Sequence, residues 1–145
     1  MKNLKLKFLK GLESIGIKKN DIIFCHSSLF LFNISNKMEA KKLCSLIYTC
    51  IKNKIGENGT LIVPTFTYSI SSGQKYDYKN SKNICGIFSE YIRKKKGTKI
   101  YIDPNVSVAA NGGLAEYFTK KPTKNSYGKN SFFDRFVKKK GKSAI

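Results

Sequence analysis

DIIFCHSSLF, residues 21–30, is the stretch from which the architecture of the chain can be inferred. The apolar run at residues 21–25 predicts a short buried strand, and small hydroxyl residues follow it at once. The histidine of the stretch, His26, is the only one in the chain. The stretch therefore joins a strand to a turn, and that turn is a candidate for ligand binding, for catalysis, or simply for ending the strand.

Helical patterns flank this strand on both sides. Residues 4–15 have the spacing of a short amphipathic helix, and Gly16 is placed to end it. Residues 37–55 have apolar side chains at helical intervals along one face and predict the longest helix. The loop between the strand and this helix, residues 27–36, is too apolar for a solvated connection.

The alternation of helices and strands continues through the second half. Residues 106–110 are small, so they fit either a strand or the start of a short helix that reaches Phe118. Residues 69–83 are polar and predict a surface excursion. The pattern predicts an α/β fold with layered helices around a mixed, partly parallel sheet. The remaining elements are a strand at residues 60–63 stopped by Pro64, a helical stripe of Ile84, Ile87, Phe88, Tyr91 and Ile92, a strand at residues 99–102, and a helix at residues 132–139 capped by Ser131.

The end of the chain carries the start of a further element. Residues 142–145 follow Gly141 in a position where a strand would begin. We expect a single domain over residues 1–145 that is truncated at its C-terminus. A natural tail is the other interpretation, because chain termini fray freely.

The composition is that of a folded, reduced protein. The chain is 41% hydrophobic and 12% aromatic, which argues against disorder despite a net charge of +19. No apolar run approaches the roughly 18 residues of a membrane span, and no secretory signal is recognisable. The four cysteines show no metal-ligand spacing. We therefore expect a cytoplasmic protein with no membrane segment and no bound metal.

The positive charge is nearly all lysine, since Arg93 and Arg135 are the only arginines. Proteins that read base edges favour arginine, whose fork makes paired contacts. Heavy use of lysine, asparagine and isoleucine is also what an AT-rich coding sequence produces. Three interpretations stay open, namely a solvated surface, a site for a phosphate-bearing small molecule, and a nucleic-acid surface, which has the least support.

Three turns at predicted strand ends hold the candidate binding residues. In open α/β sheets, ligands bind beyond the carboxyl ends of the strands. The turns at residues 26–29, 64–67 and 103–108 each join small hydroxyl residues to apolar neighbours. Such turns can offer N–H groups and hydroxyls to a ligand, although none is a glycine-rich dinucleotide or phosphate loop.

The motifs around these turns resemble the aminoglycoside 3-N-acetyltransferase family. The segments that carry the resemblance are, in order, DIIFCHSSL, GENGTLIVPTFT, CGIFSEYIR, DPNVSVAANG and NSFFDRF. The pair formed by HSSL and GTLxxPTFT is the most specific part, and the similarity covers essentially the whole chain. The resemblance implies transfer of an acetyl group from acetyl-CoA to an amine of an amino sugar. The excess of lysine over arginine and the absence of a long apolar run lead us to expect no nucleic-acid or membrane partner.

Eight positions match segments that bind the coenzyme in that family. The resemblance implies that they contact acetyl-CoA here. They are His26, Ser27, Ser28 and Leu29 in the turn on the pantetheine side, Thr65 and Thr67 in the loop after the second strand, and Ser107 and Val108 in the segment along the acyl-donor arm.

The chain departs from the family where catalysis is concerned. The family usually has Arg-Ser-x-His-Pro where this chain has residues 100–104, so Asp103 stands in place of the histidine. The resemblance also implies that the general-base histidine lies beyond Ile145. His26 is a candidate base, but its match to the donor turn favours a binding role. Cys25 is disfavoured as a nucleophile, because adjacent strand residues point to opposite faces.

Three functions therefore remain open. The first is an acetyl-CoA-dependent N-acetyltransferase, whose acceptor is an aminoglycoside or a sugar of a surface polysaccharide. The second is a coenzyme-binding chain without turnover, because the base is absent. The third is a basic nucleic-acid-binding domain, whose binding would collapse as the salt concentration rises.

Overall fold

A computed structural model of the protein describes residues 2–29 and 37–144. These residues form an α/β fold with helices on both faces of one five-stranded sheet, which confirms the predicted class. The elements are α1 (Lys2–Ser14), β1 (Ile22–Cys25), α2 (Lys37–Ile55), β2 (Thr60–Pro64), α3 (Ile87–Arg93), β3 (Lys99–Tyr101), β4 (Val108–Gly112), α4 (Ala115–Thr119), α5 (Phe132–Lys138) and β5 (Lys142–Ala144).

The sheet is mixed, as predicted, with the strand order β3-β4-β2-β1-β5. Strand β1 runs parallel to β2 on one side and to β5 on the other. Strand β4 runs antiparallel to both β2 and β3. The strands β1, β2 and β3 therefore point the same way, and their carboxyl ends lie at one edge of the sheet.

The structure settles two segments of the sequence interpretation and corrects a third. Residues 108–110 belong to a strand, β4, whereas residues 106 and 107 precede it in the turn, and the short helix α4 is a separate element. Residues 142–144 already form the parallel edge strand β5. The helical stripe is wrong at Ile84, because α3 begins only at Ile87. The Ile84 N–H donates instead to the Phe66 carbonyl (2.9 Å), and this isoleucine is 65% exposed.

The apolar loop predicted at residues 27–36 lies outside the described residues from position 30 onward. Of the residues that the structure describes, none belongs to a helix long and apolar enough to cross a membrane.

Two hydrophobic clusters cover the two faces of the sheet. Alternate residues of β1 divide between them, since Ile23 enters one cluster and Phe24 packs against the other. The aliphatic cluster lies beneath α1, α2 and α3 and is built mainly from isoleucine, leucine and cysteine. The aromatic cluster lies beneath α4 and α5 and centres on Phe132, whose ring is 5.7 Å from that of Phe24.

A buried arginine joins the two helices of the aromatic face. The Arg135 guanidinium donates to the backbone carbonyls of Tyr117 (3.2 Å), Phe118 (3.4 Å), Lys120 and Lys121 (2.9 Å), at and just beyond the end of α4. These carbonyls lack helical partners at a helix end, so the guanidinium satisfies them. One of the two arginines of the chain therefore has a structural role.

A close backbone crossing fixes where β4 ends. Gly112 has a φ of 131°, and a Cβ at this position would collide with the carbonyl oxygen of Gly59. Glycine is required here because any side chain would push β4 away from the start of β2.

Candidate functional site

The three candidate turns lie along one edge of the sheet. Residues 26–29 follow β1, residues 65–67 follow β2, and residues 102–107 connect β3 to β4. Because β1, β2 and β4 are neighbours in the sheet, these turns are also neighbours. This edge is where open α/β sheets bind ligands.

The second and third turns are bonded tightly to each other. The Thr65 N–H donates to the Ser107 carbonyl (2.8 Å), and Ser107 Oγ donates to the Thr65 carbonyl (2.6 Å). Thr65 Oγ1 also donates to Ser107 Oγ (3.1 Å), and each residue is only 2% exposed. Thr67 adds two bonds to the third turn, from its N–H to the Asn105 carbonyl and from Oγ1 to the Pro104 carbonyl. The hydroxyls of these two turns are therefore satisfied within the protein.

Asp103 closes the third turn from within. It is 4% exposed, and its Oδ1 accepts the N–H groups of Asn105 and Val106, both at 2.8 Å. A neutral imidazole has a single acceptor lone pair and could not reproduce both bonds. The sequence showed only that Asp103 replaces a usual histidine, whereas the structure gives the carboxylate a turn-closing role.

The first turn is open by comparison. His26 and Ser28 are exposed, and the His26 N–H donates to the Ala144 carbonyl (2.9 Å), which extends the pairing of β1 with β5. Ser27 Oγ is buried and has no hydrogen-bond partner among the described residues. A buried hydroxyl without a partner costs about 1–3 kcal/mol, so this turn is suited to a polar group from outside the chain.

An apolar cavity of about 510 Å³ lies behind the first turn. Leu12 of α1, Ile47 of α2 and Ala144 of β5 contribute to its walls, together with Ser27 and Cys25. Burial raises the pKa of the Cys25 thiol to about 11, and a contact with the Ser27 hydroxyl opposes that shift. Because sulfur is a weak hydrogen-bonding group, this contact does not replace the partner that Ser27 Oγ lacks. Cys25 is therefore a neutral thiol at physiological pH, which argues against a nucleophilic role.

Leu29 and Val108, both expected at the site, turn their side chains into the core. Leu29 belongs to the aliphatic cluster and Val108 to the aromatic cluster, where it is fully buried. Only their backbone groups are available to a ligand in this arrangement. Their assignment to coenzyme binding stays a prediction, as does that of the other six positions.

Two residues that were not predicted as site residues also reach the turns. Gly86 has a φ of 91°, and a Cβ built on it would lie 3.8 Å from the Ser27 carbonyl oxygen. Tyr76 comes from the polar excursion, and its phenol lies beside Ser107; partial burial raises the pKa of this phenol, and Ser107 opposes the rise. The excursion is thus anchored at the site, and no motif in its polar sequence indicated this.

The fold defines an α/β protein, and the edge of turns is its candidate site for a small molecule. Comparison with known families identifies it further, because the aminoglycoside 3-N-acetyltransferase family matches residues 25–144. The chain belongs to that family, which confirms the resemblance. A comparison with curated protein sequences finds no significant match.

Solved structures of similar fold include several aminoglycoside acetyltransferases. AAC-IIIb, described as binary with CoASH, has a TM-score of 0.76 and 21% identity, with 96% of this chain covered and 57% of that one. Aminoglycoside acetyltransferase AAC(3)-Xa has a TM-score of 0.77 and 19% identity, with coverage of 96% and 54%. Sisomicin-bound AAC-VIa has a TM-score of 0.73 and 19% identity, with coverage of 96% and 57%. The chain therefore shares their fold and spans little more than half their length.

Proposed function

We propose that this chain forms the donor-binding part of an N-acetyltransferase that moves an acetyl group from acetyl-CoA to an amine of an amino sugar. The observation that carries the proposal is the open turn at His26–Ser28 beside two locked turns, at the ligand-binding edge of a member of this family. The CoASH complex of AAC-IIIb and the sisomicin complex of AAC-VIa support the donor and acceptor classes.

The residues of the first turn fit the pantetheine arm of the donor. That arm is an apolar chain interrupted by amides, and such ligands suit clefts with apolar walls and a few placed polar groups. Ser27 Oγ is a buried polar atom without a partner, and Ser28 and His26 are exposed beside it. We therefore assign direct donor contacts to these three residues.

The other five positions shape the cleft in this proposal. Their side chains are bonded or packed inside the protein, so they fix the positions of the backbone that the donor meets. They are Leu29, Thr65, Thr67, Ser107 and Val108.

Acetyl transfer to an amine also needs a base that removes the proton of the attacking nitrogen. Acetyl-CoA supplies the activated thioester when bound, and backbone N–H groups of the cleft stabilise the oxyanion that forms on it. His26 is the only imidazole of these 145 residues and lies in the proposed donor turn. We therefore propose that the base comes from outside residues 1–145, which form one domain that acts in the cytoplasm.

A second candidate function is coenzyme binding without turnover. It is favoured by the single histidine, since no other imidazole is present in the sequence to serve as base. This candidate has the same donor site as the first. The two differ in whether the 145-residue chain releases free coenzyme A in the presence of an amino sugar.

The test is calorimetric titration of the purified chain with acetyl-CoA. A tryptophan at the exposed position 28 would fill the open turn, so Ser28→Trp should weaken donor binding at least about tenfold while the melting temperature is kept. Ser45→Trp places the same bulk at an exposed position of α2 and serves as the matched control. Equal binding by Ser28→Trp and wild type would refute the site.

Thiol release then separates the two candidate functions. The chain is incubated with acetyl-CoA and each member of a panel of aminoglycosides and other amino sugars. Release that depends on the acceptor supports the transferase. Donor binding without release supports the second candidate.

A further inference from the structure

A second cavity, of about 630 Å³, lies between the polar excursion and α3. We call it the excursion pocket, and its walls include Lys79 and Lys82 from the excursion and Gly86, Arg93 and Lys94 at α3. Gly86 is also the residue that lies against the Ser27 carbonyl. The excursion pocket is therefore next to the open first turn.

The negative charge of the acidic side chain in this pocket, Glu90, is balanced by neighbouring positive groups. Its Oε1 accepts from Arg93 Nη2 (2.6 Å) and pairs with Lys94 Nζ (3.0 Å), and its Oε2 accepts from Arg93 Nε (2.8 Å) and Asn83 Nδ2 (2.6 Å). The hydrogen bonds from Arg93 are the main reason why the pKa of Glu90 falls to about 2. The carboxylate thus organises the wall of the pocket and does not repel an anion from it.

The rim of the pocket is held in place by the same arginine. Arg93 Nη1 donates to the carbonyls of Tyr78 (3.4 Å) and Lys79 (3.3 Å), so α3 supports the excursion. The Asp77 carboxylate at this rim accepts the N–H groups of Lys79 (2.8 Å) and Asn80 (3.3 Å) and is thereby used within its own turn. These contacts give a short polar segment a defined backbone.

Two lysines of the pocket keep their ammonium groups available. Among the described residues, Lys82 Nζ makes no hydrogen bond or ion pair. Lys79 Nζ lies over the face of Tyr78, 5.7 Å from the ring centroid, and its charge helps to lower the pKa of Asp77 without forming an ion pair with it. Both lysines are exposed and lie on the excursion side of the pocket. An ammonium group is a strong partner for phosphate oxygens.

We propose that the excursion pocket binds the phosphate groups of the coenzyme, with Lys79 and Lys82 as their ligands. The inference rests on the proposed function, because the position of the pocket beside the Ser27 turn makes it the continuation of a donor site. Coenzyme A carries a diphosphate and a 3′-phosphate, whereas pantetheine, its apolar arm, carries none. This assigns two of the many lysines of the chain to the donor.

The experiment compares coenzyme A with pantetheine, and it adds pyrophosphate as a probe for the pocket alone. The variant Lys79→Gln/Lys82→Gln removes both ammonium groups, and Lys124→Gln/Lys129→Gln removes two exposed lysines elsewhere. The first variant should bind coenzyme A about tenfold or more weakly and pantetheine as wild type does. The control variant should bind both as wild type does.

Each outcome decides the inference. Equal losses in the two variants, or no loss in either, would overturn it. Wild-type binding of coenzyme A no tighter than that of pantetheine would also overturn it, while the proposed function would stand. If Ser28→Trp has no effect but pyrophosphate binds wild type and not Lys79→Gln/Lys82→Gln, the proposed function fails and the phosphate pocket stands. Absence of binding of all three ligands to wild type would refute both.

Discussion

The turn after β1 and the turn after β2 lie at one edge of the same sheet, and both join hydroxyl residues to apolar neighbours. They differ in the partners of their hydroxyls. Thr65 of the second turn is bonded to Ser107 of the third, whereas Ser27 of the first turn has no partner among the described residues. The difference separates a rigid support from a surface that is open to a ligand.

The turns also differ in how firmly hydrogen bonds hold them in place. Buried hydrogen bonds contribute about 0.5–1.5 kcal/mol each, and the second and third turns share several of them. The first turn depends on the edge strand β5, to which His26 donates. A donor bound at this edge would therefore meet one wall whose hydroxyls are already bonded and one wall whose buried hydroxyl lacks a partner.

The largest effect on stability should come from a change in the third turn, which is bonded tightly to the second. Asp103→Ala removes the acceptor of one buried and one partly buried N–H group, so it should destabilise the protein by about 2–4 kcal/mol in urea unfolding. Asp77 closes a similar turn with its Oδ1, but it does so at the surface. Asp77→Ala is thus the matched control and should change stability little. Similar losses for the two variants would mean that the third turn is not held by its buried carboxylate.

Intermediate effects on stability are expected when either of two serines is replaced by alanine, and the two replacements should differ in sign. Ser107→Ala loses the bonds to the Thr65 carbonyl and hydroxyl and should cost about 1–2 kcal/mol of unfolding free energy. Ser27→Ala removes a buried hydroxyl that has no partner, so in the absence of ligand it should be neutral or stabilising by up to about 1 kcal/mol. Both are measured by chemical unfolding without coenzyme. A loss of unfolding free energy in Ser27→Ala as large as that in Ser107→Ala would contradict the proposed difference between the two turns.

The smallest effect on stability should come from the contacts that hold β5, the strand that supports the open first turn. Burial of Asp21 opposes ionisation, but its hydrogen bonds with the Lys142 ammonium group and the Lys18 N–H outweigh burial and lower its pKa. A lowered native pKa means stability that is present above the unfolded value of about 3.9 and is lost as the pH falls through the native value. Unfolding free energies between pH 5 and pH 2.5 should show this loss in wild type.

Asp21→Asn is the control for that measurement. It removes the titrating group next to Lys142, so the acid-dependent loss should be smaller than in wild type. Hydrogen exchange locates the effect, because the His26 N–H should lose protection in acid before the Thr65 N–H does. An identical pH dependence in the variant would show that Asp21 does not hold β5.

Much of the fold was predictable because its signals are local. The helix at residues 37–55 and the buried run before His26 have clear periodicity, and both match the structure. Residues 106–110 were ambiguous, because small residues suit either a strand or a helix. Ile84 was misplaced, because a bond from its N–H to Phe66, made across the fold, takes the place of a helical turn.

The contrast between the turns could not be predicted in the same way. Ser27 and Ser107 are the same residue type beside similar neighbours, and their difference depends on a partner that is 42 residues away from Ser107. Tyr76 reaches Ser107 from a segment without any hydrophobic pattern. The sequence therefore indicated which turns form the candidate site, while tertiary contacts decide which of their hydroxyls are free.

The position of β5 bears on the order in which the chain acquires its structure during translation. The partner of Asp21, Lys142, is 121 residues away, whereas Thr65 and Ser107 are 42 residues apart. At roughly 5–20 residues per second, the rigid pair can assemble a few seconds before β5 emerges from the ribosome. In that interval β1 has an unpaired edge, which is a hazard for contact with other nascent chains. Of the three turns, the open turn is thus the last to form, and a pause in synthesis before β5 would prolong its exposure.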